Sequence, residues 1–126
     1  MIYRIEGKLP GLNELVAASH NHYARAAMKR RYERAAVLQL QAQQARPVES
    51  LPVDVHFAWE CKDRRRDPDN IASAGQKVLL DALQVAGVLP NDGWHEIASI
   101  EHNFKKSELK IDAVTITLTE SSPDID

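Results

Sequence analysis

One stretch constrains the fold of this chain more than any other. From Pro52 to Cys61, apolar residues alternate with mostly polar ones. Successive side chains of a strand point to opposite faces, so this alternation predicts a β-strand with one buried face. A half-buried strand requires hydrogen-bonded neighbours, which means that the chain builds a sheet. The apolar side comprises Val53, Val55, Phe57 and Trp59, and the other side comprises Asp54, His56, Ala58 and Glu60.

The residues before this strand predict a first strand and a long helical region. Ile2–Gly7 alternates loosely, and Pro10 and Gly11 end the predicted strand. Residues 13–44 contain neither Pro nor Gly and are rich in Ala, Gln, Arg and Leu, which favours helix. The stretch His20–His22 is a weak helix former, so this region can form one helix or two.

A further helix and two strands follow. Asp67 suits the N-cap, Pro68 the first helical position and Gly87 the end of the helix. Two strands, His95–Phe104 and Leu109–Glu120, complete the order β-α(α)-β-α-β-β. This order predicts an α/β or α+β fold with a single mixed sheet of about four strands backed by helices. The apolar stripe of the helix comprises Ile71, Ala74, Val78, Leu79, Ala82, Leu83 and Ala86.

The length of 126 residues fits one domain. We assign it to residues 1–120, followed by a polar tail at 121–126 that we expect to fray. No apolar run is long enough for a signal peptide or a membrane span. Cys61 is the only cysteine, which excludes an intramolecular disulfide, and we interpret it as a small buried hydrophobe. These features favour a cytoplasmic protein without a membrane partner.

Charged residues concentrate where the alternating strand meets the following helix. The run is Arg64-Arg65-Arg66-Asp67-Pro68-Asp69-Asn70. A helix N-terminus stabilises Asp67 and Asp69, and a bound cation relieves the repulsion between them. Mg²⁺ prefers such oxygen ligands. A third carboxylate, Asp92, lies in the loop after the helix, and only the fold can bring it to the other two. Helix capping alone is the alternative explanation of the first pair.

Three motifs follow one another in this central part of the chain. The charged run comes first, then Asp81-Ala82-Leu83 within the helix, then Gly87-Val88-Leu89-Pro90-Asn91-Asp92. Together they resemble the signature of RusA-like Holliday junction resolvases. The opening Leu9-Pro10-Gly11-Leu12-Asn13 is similar to the start of the same family. The overlap extends over most of the chain, and only the stretch from Arg64 to Asp92 is specific.

The resemblance implies a homodimeric endonuclease that uses Mg²⁺, with Mn²⁺ able to substitute. In that family, the residues that match Asp67, Asp69 and Asp92 are essential and hold the metal. The implied substrate is four-way branched DNA, with no small-molecule substrate. The implied reaction is phosphodiester hydrolysis, with symmetric paired nicks that resolve Holliday junctions in DNA recombination and repair. A prophage or other mobile-element origin is implied as well.

This chain departs from the family pattern at two positions. The acidic pair is here Asn91-Asp92, so its first member is neutral. The family's catalytic lysine lies one turn after the Asp-x-Asp, where this chain has Ser73. Lys77 matches that lysine if four residues are inserted, which rotates the helix face by only about 40°. We predict that Lys77 contacts phosphate, and an i,i+4 ion pair with Asp81 is the alternative.

Two groups of cations are candidates for DNA contact. Arg64, Arg65 and Arg66 directly precede the acidic pair, where they could hold phosphates beside the metal. Lys29 and Arg30 lie in the first helical region. A merely solvated surface is the alternative for both groups.

The histidine and tryptophan residues of the chain do not indicate a further metal site or DNA-binding site. His95 and His102 lack the spacing of a zinc site, so we expect polar surface positions for both. We expect Trp94 to pack beneath its loop rather than to wedge into a junction, and Trp59 to belong to the core.

Two other functions stay open at this stage. Asn91 and the displaced Lys77 are compatible with a protein that binds DNA junctions and cuts them weakly or not at all. A nuclease that cuts flaps or forks would use the same chemistry and differ only in its DNA-binding surface.

Overall fold

The computed structural model describes residues 1–7 and 21–121. Within these ranges the chain forms a single four-stranded mixed sheet and two helices, so the predicted α+β class is confirmed. The predicted break at Pro10–Gly11, the predicted helix up to residue 20 and the tail from residue 122 lie outside them. No helix of the described ranges is long and apolar enough to cross a membrane. The elements are β1 (Ile2–Glu6), α1 (His22–Ala42), β2 (Val53–Cys61), α2 (Pro68–Val85), β3 (Ile97–Lys106) and β4 (Ala113–Glu120).

The alternating strand β2 is central in the sheet, whose order is β1-β4-β2-β3. It pairs antiparallel with β4 and parallel with β3. A parallel pair needs a crossover connection, and α2 supplies it. The predicted inner face is confirmed, because Val53, Val55, Phe57 and Trp59 are all buried.

Helix α2 packs closely on β2 because of one glycine. A Cβ added at Gly75 would lie 2.4 Å from Cη2 of Trp59, so only glycine permits this approach. Gly75 does not interrupt the helix, which runs without a break from Pro68 to Val85. Gly87, at a φ of +79°, follows the C-cap Ala86 and ends the helix as predicted. Eight residues of α2 are buried, namely Ile71, Ala74, Gly75, Val78, Leu79, Leu80, Ala82 and Leu83.

Two glutamines at the C-terminal end of α1 hydrogen-bond to the backbone groups on the outer edge of β1. The side chain of Gln39 accepts from Glu6 N at 2.7 Å and donates to Glu6 O at 2.8 Å. Gln43 does the same at Arg4, with distances of 2.8 and 2.7 Å. Each side-chain amide thereby takes the place of a peptide group from a neighbouring strand. Asn21 caps the helix by accepting from Ala24 N.

The last two strands are shifted relative to the prediction. β3 begins at Ile97 rather than His95 and continues to Lys106, and β4 begins at Ala113 rather than Leu109. Ser107 explains the shift, because its hydroxyl accepts from Leu109 N at 3.2 Å and Ile111 N at 3.4 Å. These bonds form a turn that removes residues 107–112 from both strands.

Candidate functional site

Asp67 and Asp69 lie together at the start of α2. Asp67 occupies the N-cap position, but its side chain makes no capping hydrogen bond. Asp69 Oδ1 accepts from Asn70 N at 3.0 Å, within its own turn. Both aspartates are exposed. Capping therefore does not explain Asp67, and both carboxylates face solvent at the positive end of a helix dipole.

A cleft of about 270 Å³ adjoins Asp67. Its lining combines the apolar residues Ile71 and Phe104 with four cations, Arg64, Arg66, Lys105 and Lys106. The two lysines were missed by the sequence analysis, which assigned Lys105 to a turn. Their position follows from the parallel pairing of β2 and β3, because the carboxyl ends of parallel neighbours meet at one edge of a sheet. The cleft thus gathers predicted and unpredicted cations beside the acidic pair.

The three arginines of the charged run have different surroundings. Arg66 Nη2 lies 3.6 Å from Asp112 Oδ1, which also accepts from Lys62 N at 2.9 Å. Arg65 is largely exposed and lies 3.8 Å from Asp63. The backbone N–H of Arg65 donates to Asp63 and is the main cause that lowers the pKa of that carboxyl. Arg64 is exposed on the rim of the cleft. Arg66 therefore anchors the run to the start of β4, and Arg64 and Arg65 are available to a ligand.

Asp92 belongs to a separate group of charges around Lys77. Lys77 Nζ lies 3.3 Å from Asp81 Oδ1 and 4.0 Å from Asp92 Oδ2. Lys29 Nζ lies 3.0 Å from the other oxygen of Asp81. The alternative considered for Lys77, an ion pair with Asp81, is present, and Asp92 shares the same ammonium group. The side chain of Lys77 is 59% exposed, so it can leave this position without disturbing the core.

The predicted aspartates are thus divided between two places. Asp67 lines the cleft, Asp69 follows it in the first turn of α2, and Asp92 lies against Lys77. Among residues 1–7 and 21–121, no three His, Cys, Asp or Glu side chains are close enough to hold one metal ion. A metal held within the described part of one chain would therefore take the first two aspartates, because Asp92 lies farther along α2 beside Lys77 and Asp81.

Of the two cations predicted for DNA contact on the first helix, Arg30 is exposed and Lys29 is not. Lys29 is half-buried and bound to Asp81, so it holds α1 against α2. Consecutive helical residues diverge by about 100°, which explains why these neighbours differ.

The expected surface position of His102 is wrong. Its Nδ1 accepts from the indole N–H of Trp59 at 2.9 Å, and its Nε2 lies 2.8 Å from Gln76 Oε1. An indole N–H only donates, so these contacts require the neutral imidazole with its proton on Nε2. Burial, with a smaller contribution from His56, lowers the pKa of His102. The side chain links β2, β3 and α2 and is structural.

The expected packing of Trp94 beneath its loop is also wrong, because its side chain is 98% exposed. Glu96 occupies that place instead. It is buried, and its carboxylate accepts from Gly93 N at 3.0 Å. Cys61 is only half-buried, although the burial that it has raises the pKa of its thiol.

The site therefore offers two exposed carboxylates, a cation-lined cleft and a third carboxylate paired with the exposed Lys77. Carboxylates can hold a divalent cation, and the cations can bind phosphate oxygens. No model of a protein family matches this chain. No curated protein matches it either.

Proposed function

We propose that this protein is a Mg²⁺-dependent endonuclease for branched DNA, of the RusA-like Holliday junction resolvase type. The observation that carries the proposal is the position of Asp67 and Asp69, exposed and adjacent, beside a cleft lined by four cations. Phosphodiester hydrolysis requires both charges, since the backbone is anionic and the reaction needs an activated water. We further propose action in the cytoplasm, in DNA recombination and repair.

The donor set fits Mg²⁺, with Mn²⁺ as a substitute. Mg²⁺ usually takes one or two protein carboxylates and completes its octahedron with water and substrate phosphate oxygens. Asp67 and Asp69 would hold it. The metal, when bound, would polarise the scissile phosphate and lower the pKa of the attacking water.

The chain's own cations have separate tasks in this proposal. Arg64 and Lys106 bind the phosphates that flank the scissile one, which places the backbone across the cleft. Arg66 holds the loop in place through Asp112, so its contribution is to position Arg64 and Asp67. Phosphate contacts orient the strand and read no sequence.

Lys77 and Asp92 act as a pair that responds to the substrate. Without DNA, the Lys77 ammonium neutralises Asp92 and Asp81. When a phosphate enters, Lys77 turns towards it, as the sequence analysis predicted. Asp92, no longer paired with Lys77, is then the third carboxylate of the proposed set.

A homodimer completes the proposal. A four-way junction has two equivalent strands to cut, and a two-fold symmetric enzyme presents one identical site to each. Paired nicks at symmetric positions are the expected product.

The test is cleavage of an end-labelled four-way junction with Mg²⁺, beside EDTA and the variant Asp69→Asn. We expect symmetric nicks that EDTA and Asp69→Asn abolish, with binding of the junction retained in the variant. Flapped, forked and linear DNA in the same assay separate a resolvase from a flap or fork nuclease.

The second candidate is a protein that binds junctions without cutting them. It is favoured by one observation, the contact of Lys77 with Asp92, together with the neutral Asn91. A junction that is bound tightly with and without Mg²⁺ and stays intact would establish this candidate and overturn the nuclease.

A further inference from the structure

The two edges of the sheet are treated differently by the chain. The edge strand β1 is covered by Gln39 and Gln43, as described above. The other edge strand, β3, is ten residues long and pairs on one side with β2. Within the described ranges, no strand pairs with its outer side. Long open edges invite pairing with another chain, so proteins usually cover or interrupt them.

β3 also carries side chains that lack partners. Glu101 and Lys105 are exposed, and neither forms an ion pair within residues 1–7 and 21–121. Ile100 and Phe104 are each 37% exposed on the helix-covered face, although both are large and apolar. An open backbone edge, an unmatched pair of opposite charges and exposed apolar side chains therefore coincide on one strand.

We propose that β3 pairs antiparallel with β3 of a second copy of this chain, about a two-fold axis at Asn103. Opposite residues of an antiparallel pair share a face of the sheet. This register places Glu101 of each copy opposite Lys105 of the other, on the face without helices. On the helix-covered face it places His102 opposite Phe104. Both arrangements occur twice because of the symmetry.

The charges select this register among the alternatives. A two-fold axis at His102 would set Glu101 opposite Asn103, and an axis at Phe104 would set Lys105 opposite Asn103. Neither pairs the two charges. An axis between two residues would bring the helix-covered face of one copy to the open face of the other. Only the axis at Asn103 keeps the faces aligned and matches both charges.

The pairing would join the two four-stranded sheets into a single sheet of eight strands. They would also bring the two clefts towards each other, because Phe104, Lys105 and Lys106 belong to both β3 and the cleft. The inference deepens the homodimer of the proposed function by naming its surface. Its test uses neither DNA nor metal, so its failure is distinguishable from the failure of the nuclease proposal.

Charge reversal tests the interface on the full chain by sedimentation velocity over a range of concentrations. We expect a dimer for the natural sequence, and a dissociation constant at least about tenfold weaker for Glu101→Lys or Lys105→Glu. The double variant, with both changes, should recover the natural dissociation constant. Arg34→Glu, an exposed charge reversal on α1, is the matched control and should leave it unchanged. Circular dichroism checks that each variant is folded.

Cross-linking tests the register. In a Cys61→Ser background, Asn103→Cys places two thiols at the two-fold axis, and mild oxidation should convert the protein to a disulfide-linked dimer. Glu101→Cys is the matched control on the same face. Its thiols would be separated by about four residues along the strands, roughly 13 Å, and should not link.

Three outcomes would overturn the proposal. The first is a monomer at every concentration. The second is a dimer indifferent to both single charge reversals. The third is cross-linking from position 101 but not from position 103.

Discussion

The two edge strands of the sheet, β1 and β3, both have backbone groups on their outer sides that need hydrogen-bond partners, and they differ in how these partners are supplied. β1 is short, and two side chains of α1 satisfy the backbone groups of Arg4 and Glu6. β3 is twice as long, exposed on most of its residues and uncovered within the described ranges. Backbone N–H and C=O groups need partners in either case. The chain supplies them itself at β1 and leaves them to water or to another molecule at β3.

The candidate site lies on the β3 side of the molecule. The cleft, the loop with Asp92 and the exposed Trp94 all adjoin β3 or lead into it. On the β1 side, the contacts seen within residues 1–7 and 21–121 hold the edge strand to α1 and β4. Substitutions of exposed residues should therefore differ in effect: on the β3 side they should change activity, and on the β1 side they should change the free energy of unfolding.

After the loss of cleavage expected for Asp69→Asn, the largest effect is expected for the aspartate in the loop that leads into β3. Asp92→Asn should lower the rate of junction cleavage at least about 100-fold, because a ligand matters more than the groups that orient it. Single-turnover cleavage of a labelled junction measures this loss. The free energy of unfolding should change little, since Asp92 is only partly buried.

Asp81→Asn is the matched control, because Asp81 binds the same lysine and lies farther along α2. It should keep the cleavage rate within a few-fold. An equal loss in both variants would mean that Asp92 contributes by positioning Lys77 and not by binding a metal.

A large effect on stability is expected where α2 meets the centre of the sheet. Gly75→Ala would gain about 1 kcal/mol of helix propensity. The added methyl would overlap the buried indole of Trp59, and overpacking of this kind costs about 1–3 kcal/mol. We expect a net loss in urea unfolding. In a Trp59→Phe background the ring atom that clashes is absent, so the same change should cost less or stabilise.

A smaller effect on the free energy of unfolding is expected at the β1 edge, which Gln39 and Gln43 cover. Gln43→Ala removes two hydrogen bonds to Arg4 and opens part of the β1 edge to water, which should cost about 1 kcal/mol because the site is exposed. Urea unfolding measures the cost, and the cleavage rate should not change. Gln41→Ala, an exposed neighbour on α1, is the control. If cleavage fell with Gln43→Ala, the two sides of the sheet would not be independent.

The residues explain which parts of this fold were predictable. The alternation in β2 fixed its inner face, because a strand buried between two neighbours leaves no freedom of register. Pro68 and Gly87 made both ends of α2 predictable through local chemistry alone. The glutamine contacts to β1 depend on residues distant in sequence. The turn at Ser107 and the burial of Glu96 use bonds to residues two to four positions away, but no motif of the sequence marks them. The cleft lysines needed the parallel pairing of β2 and β3, which no local pattern of the chain encodes.

The smallest effect concerns pH and the histidine that joins β3 to the core. The pKa of His102 is lowered in the folded protein, chiefly by burial, so the unfolded chain binds a proton more readily. The free energy of unfolding should therefore be fully developed above the unfolded pKa of about 6.5 and should fall as the pH drops below it. Protonation at Nδ1 would also break the hydrogen bond from Trp59.

Urea unfolding at a series of pH values between neutral and mildly acidic measures this slope. His102→Gln should flatten it, while His95→Gln, which changes an exposed histidine near the start of the same strand, should not. His56 contacts Asn103 on the other face of the sheet, so His56→Gln completes the set. If His102→Gln left the slope intact, the pH dependence would belong to another group, and β3 would not be held to α2 through a neutral imidazole.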